Sequence, residues 1–206
     1  MLVDLKLAGK NALIIAEGSQ AEIRAKQLLS EGANVTVLTC GAPTEELRRA
    51  SSLGELNLRK ESKDKWRSIL KDMCPFLSVI STGNAKKDEV IAEYARTTSR
   101  LIYVVDRPSL NDLNMTGVAK IGDIRVAVST RGLSPAMAGL LRRKIESLID
   151  KEEILQVRLQ GEVRSEIKRS IKDPSQRKKL IYRLIRDKRI FSLLKSDRFE
   201  DAKHYA

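Results

Sequence analysis

The chain has 206 residues, 42% hydrophobic and 32% charged, a balance that fits a folded globular protein and excludes a disordered one. Lys and Arg number 39 against 27 Asp and Glu, a formal net charge of +12, which favours a polyanionic partner: nucleic acid, an acidic membrane surface or a substrate rich in carboxylates. Two cysteines, Cys40 and Cys74, and the single His204 exclude a disulfide framework, a four-cysteine zinc site and a multi-histidine metal centre. No apolar run approaches the roughly 18 to 20 residues of a membrane span. Asp4 interrupts the N-terminus where a signal peptide would be apolar, so a cytoplasmic protein with no membrane partner is expected.

The first element is the apolar run Asn11 to Ala16, of the kind found in buried parallel strands. Gly18 follows, then a helix over Ala21 to Ser30 with Ala25, Leu28 and Leu29 on one face, closed by Gly32 as a left-handed cap. Asn34 to Leu38 is a second strand, which completes a βαβ unit with a right-handed crossover. Glu45 to Ala50 reads as a short helix and Leu56 to Leu58 as a weak strand. Leu77 to Ser81 is a buried strand leading into a helix over Lys87 to Arg96, and Leu101 to Val105 is another, ended by Asp106-Arg107-Pro108. Ile124 to Ser129 carries a charge inside a strand pattern and belongs to a smaller or edge-exposed sheet. An amphipathic helix follows Ser134-Pro135, with Pro135 in the first turn and Ser134 as its cap.

From residue 151 onward 16 basic and 9 acidic side chains leave an excess of +7, and the pattern reads as two or three amphipathic helices broken near Asp173-Pro174-Ser175. The fold class is therefore α/β: a Rossmann-like parallel-sheet domain over residues 1–112, a small segment over 113–150 and a basic helical domain over 151–206. Aromatic residues make up only 4% of the chain, too few for the stacking platforms of single-strand binding, and nucleic acid is not the expected partner.

A dinucleotide turn needs glycines where the backbone approaches the pyrophosphate, in the pattern G-x-G-x-x-G/A. Here the window is Ala16-Glu17-Gly18-Ser19-Gln20-Ala21. It keeps the second glycine and the final small residue, replaces the first glycine, and brings the charge of Glu17 near the phosphates. An ordinary tight strand-to-helix turn would look the same. About 20 residues further on, such folds place an acid on the ribose hydroxyls. This chain offers Thr39-Cys40-Gly41 instead, where Thr39 is able to form one hydrogen bond, and the residues leave NAD and NADP open.

The segments Leu5 to Lys10, Gly18 to Lys26, Leu28-Leu29 with Gly32 to Val37, and Ser81-Thr82-Gly83-Asn84, taken in order, resemble the precorrin-2 dehydrogenase family, which includes the dehydrogenase-chelatase module of siroheme synthase. The most specific pair is Tyr103-Val104-Val105-Asp106-Arg107-Pro108 and, about 20 residues on, Val126 to Pro135 with Ser129-Thr130-Arg131-Gly132 inside it; Leu140 to Glu146 resembles the next helix. The resemblance covers roughly residues 4 to 150. The sequence departs from the family at Ala16-Glu17, at Tyr103, at Arg131 and over Asn111 to Thr116, a stretch that lines the tetrapyrrole pocket in relatives.

The resemblance implies NAD-dependent oxidation of precorrin-2 to sirohydrochlorin. It places Gly18, Ser19 and Gln20 on the pyrophosphate, Thr39, Cys40 and Gly41 near the adenosine, and Thr82 on the nicotinamide side. Asp106 would be the catalytic proton acceptor, and Arg107, Thr130 and Arg131 would bind carboxylates of the substrate. It also implies a homodimer formed through the 113–150 segment, and in some members iron insertion into sirohydrochlorin; no metal ligand set is recognisable here. The residues alone also fit blander roles: Asp106 as a turn former, and the arginines as solvated surface groups. Two other classes stay open, a non-catalytic nucleotide- or tetrapyrrole-binding protein and a nucleic-acid module using the basic C-terminal helices.

Overall fold

In the computed structural model, which describes residues 2–39, 41–60 and 65–206, the first apolar run is the central strand of a five-stranded parallel sheet. Chain order in this unit is β1 (Asn11–Ala16), α1 (Gly18–Leu29), β2 (Asn34–Thr39), α2 (Glu45–Ser52), β3 (Asn57–Lys60), α3 (Trp66–Met73), β4 (Leu77–Ser81), α4 (Ala85–Ala95) and β5 (Leu101–Val104). The strand order is β3-β2-β1-β4-β5, with Ile14 in register with Val37 on one side and Val79 on the other. The winding reverses between β3 and β4, so the sheet has a switch point between β1 and β4, where open α/β sheets bind ligands.

Five of the six residues in each of β1 and β2 are buried, because helices cover both faces of a parallel sheet. Leu13 and Ile15 meet Trp66, Ile69 and Leu70 of α3 and Ile91, Ala92 and Ala95 of α4 in one apolar cluster. Each fully buried Leu or Ile contributes about 1.5–3 kcal/mol. Helix α1 buries Ala21, Ala25 and Leu28; its small side chains permit close approach to the sheet.

Several elements differ from the sequence expectation. Helix α1 begins at Gly18 rather than Ala21, the chain turning directly on a left-handed glycine (φ +59°). Helix α3 is absent from the sequence reading. Its apolar residues Trp66, Ile69, Leu70 and Met73 fill a single face of two turns, between the charges of Arg67, Lys71 and Asp72. The edge strand β5 is closed by side chains that mimic a neighbour: Asp112 Oδ2 accepts from Ile102 N (2.9 Å) and Asn111 Oδ1 from Val104 N (2.6 Å). These two residues of the divergent stretch thus cover a sheet edge, one of the ways proteins shield unpaired strands.

The first compact unit is Met1–Asn114 and the second Met115–Ala206. The second opens with an antiparallel hairpin, β6 (Val118–Ile121) and β7 (Ile124–Ala127). β6 was not expected from the sequence, although Gly122-Asp123 forms a two-residue hairpin loop with Gly122 at φ +56°. Helix α5 (Pro135–Glu146) is capped by Ser134 as expected, its hydroxyl accepting from Met137 N at 3.3 Å.

The C-terminal segment holds four helices, not two or three: α6 (Lys151–Ser170), α7 (Pro174–Arg186), α8 (Lys188–Lys195) and α9 (Phe199–Tyr205). The extra breaks come from Asp187, which caps α8 by accepting from Arg189 N and Ile190 N (2.8 and 3.1 Å), and from Asp197 at φ +59°. Leu159, Val163, Ile190, Leu194 and Ala202 form their shared core.

Candidate functional site

Parallel strands end on one side of a sheet, and the described candidate residues of the first unit fall at those ends. Gly18, Ser19 and Gln20 follow β1; Thr39 ends β2 and Gly41 lies just beyond it; Thr82 follows β4; Asp106 and Arg107 follow β5. Cys40 lies outside the described residues. Thr130 and Arg131 belong to the second unit, in the turn between β7 and α5.

The turn after β1 suits an anion. Glu17 is the N-cap residue of α1 but makes no side-chain cap bond, and the first turn holds no acid; helix α4, at the end of β4, is capped by Asn84, which accepts from Lys87 N at 3.1 Å. The α1 N–H groups therefore face outward with the positive end of the helix dipole. Two polar atoms nearby are buried without a hydrogen-bond partner among the described residues: Gln20 Oε1 and Thr39 Oγ1. Thr39 is only 2% exposed, and a buried hydroxyl left unpaired costs about 1–3 kcal/mol. A bound group that supplies partners at both places fits these residues.

A cleft of about 770 Å³ opens at the switch point, lined among others by Glu17, Thr82, Asn84, Trp66 and Arg67. Thr82 is held by a residue that sequence reasoning missed. Asp88, 6% exposed, accepts from Thr82 N at 2.9 Å and from Thr82 Oγ1 at 2.6 Å. With its proton committed to Asp88, the Thr82 hydroxyl presents only acceptor capacity to a ligand. A carboxylate four residues past the Asn84 cap was the available signal.

Asp106 is exposed and adopts a left-handed backbone (φ +59°), a region few residues other than glycine, Asn and Asp occupy. Such conformations persist where surrounding structure imposes them, and they cluster at active sites. Arg107 forms an ion pair with Glu89 and donates to Ala85 O at 3.5 Å, so its guanidinium is fixed against the start of α4.

In the second unit, Thr130 Oγ1 accepts from Ser134 N (3.1 Å) and Ser129 Oγ from Arg131 N (3.2 Å). Arg131 (φ +52°) and Gly132 (φ +82°) are both left-handed, and the arginine side chain is exposed. The carboxylates of Asp150, Glu152 and Glu153 lie within 4.8 Å of one another. Helix capping accounts for that cluster, since Glu153 Oε2 accepts from Asp150 N at 2.9 Å.

An uncapped helix N-terminus after a glycine turn, at the switch point of a doubly wound parallel sheet, defines a dinucleotide-binding domain. The chain belongs to the family described as "Putative NAD(P)-binding", whose model matches residues 3–116, and its cofactor class is a nicotinamide dinucleotide. The chain is similar to a precorrin-2 dehydrogenase of Methanosarcina barkeri, 28% identical over 91% of this chain and 84% of the relative. It is also similar to siroheme synthases of Nitrosospira multiformis and Escherichia coli, at 28% and 29% identity over 88% and 93% of this chain. Those matches span only 38% and 41% of the synthases' own length. Among solved structures, SirC, a precorrin-2 dehydrogenase, matches all of both chains with a TM-score of 0.73 at 21% identity, a likeness of fold. No helix among the described residues is long and apolar enough to cross a membrane.

Proposed function

We propose that this chain oxidises precorrin-2 to sirohydrochlorin with NAD, a step of siroheme synthesis. The observation that carries the reading is the Methanosarcina barkeri relative, aligned over 91% of this chain and hence across both compact units. Precorrin-2 loses two hydrogens, one as hydride and one as a proton. NAD, when bound, supplies the hydride acceptor.

The chain's own residues do the rest. Gly18 with the N–H groups of Ser19 and Gln20 holds the pyrophosphate, Thr39, Cys40 and Gly41 take the adenosine side, and Thr82, fixed by Asp88, stands toward the nicotinamide. Asp106 receives the departing proton from its exposed position after β5. Arg107, Thr130 and Arg131 bind carboxylates of the substrate, Arg107 by exchanging Glu89 for them. The net charge of +12 raises the encounter rate with a polycarboxylate.

Two copies pair through the 113–150 segment. This part of the proposal is supported by α5, which buries none of its residues and exposes Leu140, Leu141 and Ile145. The test is incubation of the purified chain with precorrin-2 and NAD, which should yield NADH together with the sirohydrochlorin chromophore. NAD binding without either product would leave the non-catalytic binding protein.

A further inference from the structure

Glu17 stands where a pyrophosphate turn ordinarily carries no charge, and its side chain is directed away from the helix it precedes. It makes no cap bond to α1. A Cβ built on Gly41 would lie 3.7 Å from Glu17 Oε2, so the carboxylate reaches from the turn after β1 to the turn after β2. The end of β2 is where dinucleotide folds place an acid on the adenosine ribose; this chain has none there, Thr39, Cys40 and Gly41 being its residues. The same place holds the buried hydroxyl of Thr39, 2% exposed and without a hydrogen-bond partner among the described residues. One strand therefore lacks the acid, the neighbouring turn sends one across, and an unsatisfied hydroxyl lies beside the gap.

We infer that Glu17 is the specificity-determining residue of the dinucleotide site, accepting from the ribose hydroxyls of NAD and excluding the 2′-phosphate of NADP. The inference rests on the dinucleotide reading above and adds which group selects the dinucleotide. A carboxylate accepting from a hydroxyl makes a charge-assisted bond roughly twice as strong as a neutral one. A 2′-phosphate, doubly charged or nearly so at neutral pH, would meet the same carboxylate as a like charge. Among the described residues, cations that would argue for NADP are Lys60, in register with Thr39 at the end of β3, and Arg67, which lines the cleft with Glu17.

The test is equilibrium titration of the full chain with NAD and with NADP, followed by fluorescence of Trp66. This is the only tryptophan of the sequence and it lines the same cleft as Glu17. Wild type should bind NAD at least about tenfold more tightly than NADP. Glu17→Gln and Glu17→Gly should narrow that ratio by about tenfold, chiefly through tighter NADP binding, with circular dichroism unchanged. A ratio that neither variant moves, or a wild-type preference for NADP, overturns the role of Glu17. Failure of wild type to bind either dinucleotide overturns the dinucleotide reading itself, and this inference with it.

Discussion

At the scale of single residues, Asp106 and Asp88 do different work. Asp106 is exposed on a left-handed backbone, and Asn tolerates that conformation as Asp does. Asp106→Asn thus removes the proposed proton acceptor while keeping shape and fold. Its kcat should fall by at least the lower end of the about 10² to 10⁴ typical of a lost general base, with NAD affinity unchanged by titration. Turnover within about threefold of wild type would make Asp106 a turn residue only. Asp88 accepts both Thr82 bonds from a buried position. Asp88→Ala should lower unfolding free energy in urea by about 1–3 kcal/mol, and Asp88→Asn, which keeps an acceptor, by less. The place of Asp106 at the end of β5 was legible in the sequence because a strand and its terminating turn are local. The role of Asp88 was only hinted at by its place one turn past the Asn84 cap, and the reach of Glu17 to Gly41 was not legible, because only the folded loops bring those residues near.

At the scale of elements, helix α9 is tied to α6 by Lys203 Nζ and Glu162 Oε2, 2.6 Å apart. The hydrogen bond from Lys203 holds the Glu162 carboxyl below its ordinary value of 4.5, and the same bond raises Lys203 above 10.5. A lowered carboxylate stabilises the fold above its ordinary value and loses that contribution as pH falls through the lowered one. A raised lysine contributes below its ordinary value and loses this as pH rises through the raised one. Lys203→Ala should therefore flatten the acid limb of a thermal-stability profile below about pH 5; an unchanged limb would mean the pair contributes nothing. Strand β1 was legible as an unbroken apolar run, and β2 and β4 as short apolar runs interrupted only by Thr36 and Ser78. Helix α3 and strand β6 carried signals too, the Trp66, Ile69, Leu70, Met73 spacing and the Gly122-Asp123 turn. Both were short enough for neighbouring charges to hide them.

At the scale of the whole molecule, an exposed helix face and the site's chemistry lead to separate measurements. On α5, Leu140 is 51% exposed and Leu141 and Ile145 39% each, apolar side chains that the proposed pairing would cover. Light scattering should give twice the 23.1 kDa chain mass, and Leu140→Asp with Leu141→Asp should return it to one chain; a wild-type monomer would refute the pairing. In the proposed reaction, one hydrogen of precorrin-2 leaves as hydride to the nicotinamide while another leaves as a proton. The reaction is tested most directly by one turnover with precorrin-2 carrying deuterium at the carbon that is oxidised, the NADH formed then being weighed by mass spectrometry. One deuterated NADH for each sirohydrochlorin is the predicted result; sirohydrochlorin without NADH, or NADH without the label, would contradict it.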